Sequence, residues 1–65
     1  MTEYFEILIP HGRGKTWIYG RRTREDAFEF ARDAKRKGHS PGIWHATTVA
    51  GRTGRESIPR EEWDK

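Results

Sequence analysis

The sequence predicts an α+β domain of order ββαββ, with one helix packed on one face of a small, mainly antiparallel four-stranded sheet. Three observations carry that prediction. Two glycine-bounded turns, His11 to Lys15 and Gly51 to Gly54, each separate a pair of segments with strand character. Between the two hairpins a single stretch has helical spacing of its apolar residues. With 65 residues there is room for one domain only.

The elements follow in order. Tyr4 to Ile9 alternates, placing Phe5, Ile7 and Ile9 on one side and Tyr4, Glu6 and Leu8 on the other, and Pro10 closes the strand. Gly12 and Gly14 supply turn positions that need positive φ, and Thr16-Trp17-Ile18-Tyr19 returns as the second strand. Thr23 offers an N-cap hydroxyl, and Glu25 and Asp26 in the first turn suit the positive end of the helix dipole, so a helix starts near Arg24. Ala27, Phe30, Ala31 and Ala34 fall at i, i+3, i+4 and i+7, flanked by Phe28, and the three alanines among these five are small enough for close approach to a sheet. Gly38 stands where a left-handed residue ends the helix. Ile43 to Ala50 reads as the third strand and Glu56-Ser57-Ile58 as the return of the second hairpin. The compact domain is expected over residues 1–58. Residues 59–65 form a polar C-terminal tail, either frayed or held by Trp63, its one large apolar residue. The sheet order 2-1-3-4 makes every neighbouring pair antiparallel and is preferred.

Composition sets limits on function. Hydrophobic residues make up 32% and charged residues 35% of a chain with eight aromatics, so the core is thin and a large buried active site is not expected. There is no cysteine, hence no disulfide frame and no thiolate-bound zinc, and nothing demands an oxidising compartment. No apolar run reaches the roughly 18 residues of a membrane span and no secretion signal opens the chain, so a cytoplasmic location without membrane contact is expected.

The net charge of +3 is unevenly spread. Gly12 to Arg55 holds eleven basic residues against four acidic ones, while the flanks are acidic. A positive middle favours anionic partners: nucleic acid or an acidic protein surface. Arginine outnumbers lysine nine to four, which suits bidentate recognition of phosphate or carboxylate. Hairpin geometry gathers Arg21, Arg22, Arg24, Arg52 and Arg55 at one end of the sheet as the leading nucleic-acid-binding set. Arg13 and Lys15, with Lys35, Arg36 and Lys37, form a secondary patch at the other end. One helix covers one sheet face only, so some of Tyr4, Leu8, Trp17, Tyr19 and Trp44 are left for the opposite face; Trp17, Tyr19 and Trp44 are the candidate protein-binding residues.

Familiar motifs are absent. Gly14-Lys15-Thr16 resembles the end of a phosphate loop, but Ile9 stands where another glycine is required and a strand follows where a helix is needed. An aromatic sheet face between basic edges is similar to the way RNA-binding sheets stack bases, yet their signature run of basic, glycine and aromatic residues is missing. His11, His39 and His45 lack metal-ligand spacing, and no serine has a base beside it, so neither metal, cofactor nor enzymatic activity is expected.

The chain needs no further segment to complete its element pattern and is expected to be a whole gene product that acts by binding. A compact α+β miniature without cysteines resembles small phage or mobile-element proteins, a class that includes DNA-handling accessories and inhibitors of host defence such as anti-CRISPR proteins. The leading expectation is a small non-enzymatic protein whose basic surface contacts nucleic acid or a nucleic-acid-bound complex. The alternatives are an inhibitor that binds a host protein through the aromatic face, and a homodimeric accessory in which two such faces pack together.

Overall fold

A computed structural model describes residues 2–64; Met1 and Lys65, the ends of the expected domain and tail, lie outside the described residues. The elements are β1 (Thr2–Pro10), β2 (Thr16–Arg21), α1 (Arg24–Arg36), β3 (Gly42–Val49), β4 (Arg52–Ile58) and a short α2 (Arg60–Trp63). The strands form one sheet in the order β2-β1-β3-β4, antiparallel throughout, as the sequence predicts.

Register explains where the core sits. Ile7 pairs with Tyr19 on one side and with Ile43 on the other, and Ile43 pairs with Ile58. Directly paired residues share a face, so this row and Phe5 and Ile9 line a single surface, on which α1 lays Ala27, Ala31 and Ala34. All three alanines are buried, and the absence of longer side chains lets the helix axis lie close to β1 and β2. Phe28 and Phe30 flank the stripe and are partly buried against the same cluster.

The helix ends follow their local chemistry. Thr23 Oγ1 accepts the Asp26 N–H at 3.1 Å. At the other end His39 N–H reaches the Ala34 carbonyl and Gly38 N–H the Lys35 carbonyl, the paired bonds made when a left-handed residue follows a helix; Gly38 has φ +93°.

Two details differ from the sequence expectation. The second hairpin turns at Ala50 and Gly51, both left-handed at φ +52° and +79°, not across Gly51 to Gly54; Arg52, Thr53 and Gly54 already belong to β4. A two-residue turn matches the twist of the strands, and alanine takes the position usually given to asparagine. The last segment is not frayed: after Pro59, α2 brings Trp63 into the core at 1% exposure. Arg32 Nη1 donates to the Trp63 carbonyl, and Lys35 Nζ contacts both Asp64 carboxylate oxygens at 2.5 and 2.6 Å. The indole joins the core cluster that contains Ile43 and Ile58, and α2 packs against α1.

The candidate interface on the open sheet face

Strand parity decides which residues meet. On the face away from α1 stand Tyr4, Glu6 and Leu8 of β1, Thr16, Ile18 and Gly20 of β2, Trp44, Ala46 and Thr48 of β3, and Thr53, Arg55 and Ser57 of β4. Trp17 and Tyr19 are on the other face, because Ile9 pairs with Trp17 and Ile7 with Tyr19. The expected grouping of aromatics is therefore divided. Tyr19 packs on Phe30 with ring centroids 4.8 Å apart, at the rim of the core. Trp17, 45% exposed, lies against His11 at 3.7 Å and near His39 at 6.2 Å, at the end where the first hairpin turns. Trp44 alone of the three candidates faces the open side, at 38% exposure, joined there by Tyr4 and Leu8 and by Ile18.

The arginines are also distributed differently from the expected single cluster. Arg21, Arg22, Arg52 and Arg55 do lie toward one end of the sheet, but β2 and β4 are its opposite edges. Arg55 pairs with Ala46 and Ala46 with Tyr4, a row that Arg22 continues just past the end of β2. Three strand spacings separate Arg22 from Arg55, about 14 Å. Arg52 is three residues further along β4 and on the helix side. Arg21 is half-buried on that side as well, its guanidinium 4.5 Å from the Phe30 ring centroid and its Nη1 donating to the Gly20 carbonyl at 2.7 Å. Arg24 lies over Phe5 and Phe28 and is 3.9 Å from Glu62.

The secondary patch is largely spoken for. Lys35 pairs with Asp64, and Arg36 and Lys37 both pair with Asp33. Those cations hold the carboxyls of Asp64 and Asp33 below their ordinary value, chiefly through the hydrogen bonds from Lys35 and Lys37 respectively. Among the described residues, the side chains of Arg13, Lys15, Arg22 and Arg52 have neither a hydrogen-bond nor an ion-pair partner.

The open face thus has a defined chemistry. Tyr4 and Trp44 are diagonal neighbours across β1 and β3, since Tyr4 pairs with Ala46 and Glu6 with Trp44. Glu6, the one carboxylate among the residues of this face, receives Arg55 Nε at 2.6 Å, and that bond raises Arg55 above its already high ordinary value. Gly20 and Gly42 flank the rings, and a Cβ at either would meet nothing within 4 Å, so the surface beside the rings is open. Arg22 stands at the β2 corner, in a hollow shared with Tyr4, Gly20, Arg21 and Asp26. Tyr4 and Leu8 stand on this face as the alternation in β1 predicts, whereas Ile18 follows only from the hairpin register and no motif marks it.

Among the described residues no group of three His, Asp or Glu side chains could hold a metal ion, and no helix is long and apolar enough to cross a membrane. Compared with protein-family models, curated proteins and solved structures, the chain matches none.

Proposed function

We propose that this protein is a non-catalytic binder of single-stranded nucleic acid that uses the sheet face opposite α1. The observation that carries the reading is the placing of two rings, Tyr4 and half-exposed Trp44, on a surface where Arg55 neutralises the one carboxylate, Glu6, and Arg22 at the β2 corner is an unpaired cation among the described residues. Base–aromatic stacking needs a ring that is held from behind and open in front, with cations at phosphate reach, and it is tolerant of sequence. A duplex hides its bases and offers the rings nothing. The outer surface of α1 offers no such site, because Glu25, Asp26, Glu29 and Asp33 offset its basic residues Arg24, Arg32, Lys35 and Arg36.

The test is fluorescence anisotropy of labelled single-stranded DNA, single-stranded RNA and duplex at about 50 and 200 mM salt, the range over which phosphate-driven binding falls steeply. Single strands bind more tightly than duplex, Trp44→Ala loses about 1–3 kcal/mol, and Arg22→Glu weakens all sequences alike. Equal affinity for duplex, or an unaffected Trp44→Ala, refutes the reading.

One observation favours a second reading. Ile18 is 61% exposed on this face, paired with Leu8, and an aliphatic side chain contributes nothing to base stacking. As the anchor of a protein contact, with Trp44 as hot spot and arginines at the rim, it fits an inhibitor that engages a host protein. In that case Ile18→Ala and Trp44→Ala abolish capture of the partner, and nucleic acid does not bind.

A further inference from the structure

From the free edge of β4 we infer that two copies of this chain join there antiparallel, centred on Gly54, into one continuous eight-stranded sheet. This inference does not depend on the open face having a nucleic-acid ligand. The two-residue turn makes Val49 and Arg52 a hydrogen-bonded pair, so Arg52, Gly54, Glu56 and Ile58 direct their backbone groups to β3. Thr53, Arg55 and Ser57 direct theirs outward from the sheet. α1 packs over β1, β2 and β3 and leaves β4 uncovered, and six of its seven residues are exposed.

The other edge differs in a specific way. On β2 the outward backbone groups belong to Thr16, Ile18 and Gly20, and Arg21 Nη1 already occupies the Gly20 carbonyl. Among the described residues no side chain does this on β4; Thr53 Oγ1 bonds Thr48 and Arg55 bonds Glu6, both within the sheet face.

Side-chain order then selects the occupant and the register. With Gly54 opposite Gly54 of the second copy, Thr53 meets Arg55 in a hydrogen-bonded pair, and Arg52 meets Glu56 on the helix side, twice by symmetry. Neither Arg52 nor Glu56 has a partner within the chain among the described residues, and their charges are complementary. Shifting the centre to Arg55 would set two arginines directly opposite, which is unfavourable. At the centre a glycine removes side-chain bulk from the seam, and a Cβ there would meet nothing within 4 Å. The two open faces become one surface, with Arg55 of each copy beside the seam and its Glu6 partner retained.

Charge swapping tests the register on nuclease-treated protein, so that shared nucleic acid cannot tether two copies. Sedimentation equilibrium of the native chain gives a dimer. Arg52→Glu and Glu56→Arg each raise its dissociation constant at least tenfold, because two attractive pairs become repulsive, and the double variant returns it to within about threefold of the native value. The chain has no cysteine, so Gly54→Cys supplies a second readout. Opposed residues at a non-hydrogen-bonded position are about 4.5 Å apart at Cα, within disulfide reach, and this variant forms a covalent dimer in glutathione buffer. A native monomer, a dimer indifferent to both single reversals, a double variant that stays apart, or a Gly54→Cys variant whose thiol remains reduced overturns the inference.

Discussion

Replacing Trp63 by alanine removes the one buried side chain that α2 contributes to the core. The indole is 1% exposed and shares the core cluster with Ile43, Ile58 and the α1 alanines, although it is carried by a helix of only four residues. Burying an indole takes about 150–250 Å² out of water, worth about 4–6 kcal/mol at about 25 cal/mol per Å². The observed range for truncating a buried tryptophan, about 3–5 kcal/mol, is close to that. A 65-residue domain has about 3–10 kcal/mol in total, so Trp63→Ala should leave the chain at the margin of folding. Urea unfolding followed by far-UV circular dichroism reads this directly: with a slope near 1 kcal/mol per molar, the midpoint falls by about 3–5 M or folding is lost in water. Trp17→Ala, at a site 45% exposed, is the matched control and costs about 1 kcal/mol or less. Equal losses from the two substitutions would refute the placement of α2 in the core.

Two further outcomes follow from local geometry. Ala50 is the one non-glycine residue with positive φ among those described, and a left-handed alanine costs about 1–2 kcal/mol. Ala50→Asn supplies the residue that type I′ turns favour and should raise stability by about 0.5–1 kcal/mol, seen as a rise of about 4 °C in Tm; no rise would count against the turn. Asp64 is held below its ordinary value by Lys35, so the ion pair stabilises the fold above the unfolded value of 3.8 and that stabilisation is lost as pH falls through the lower folded value. Thermal melts from pH 6 to pH 2 should therefore find wild type more stable than Asp64→Asn at the upper end and the gap closing below about pH 3.8; a gap constant with pH would refute the pairing.

Much of the fold was legible because its signals are local. The alternation in β1, the Thr23 cap, the alanine stripe and Gly38 each act within a few residues, and together they define the ββαββ elements for which the order 2-1-3-4 is preferred. What was not legible depended on distant contacts. Pro59 and the charged run that follows look like a tail, and Trp63 finds its place only in a core cluster assembled from residues distant in the chain, Ile43 and Ile58 among them. The turn at Ala50 was missed for a different reason: Gly51 and Gly54 both signal a turn, and the hydrogen-bonded register of β3 with β4 selects between them.

The site was less legible than the fold because a one-residue difference moves a side chain to the other face of a sheet. Trp17 and Trp44 are equivalent in composition; the pairing of Pro10 with Thr16 sends the first to the helix side, and the pairing of Glu6 with Trp44 sends the second to the open side. Clustering of arginines along the chain carries the same ambiguity. Arg52 and Arg55 are three residues apart, which in a strand means opposite faces, so Arg55 joins Glu6 beside the rings while Arg52 is left with an unpaired charge at the seam of the β4 edge. The two arginines therefore separate the two proposals: Arg22 with the open face governs a ligand laid across the sheet, and Arg52 with Glu56 governs a second copy laid beside it. Arg52→Glu should weaken self-association without touching the stacking surface, and Arg22→Glu should do the reverse. Loss of both activities in either variant would mean that faces and edges are not independent in this sheet.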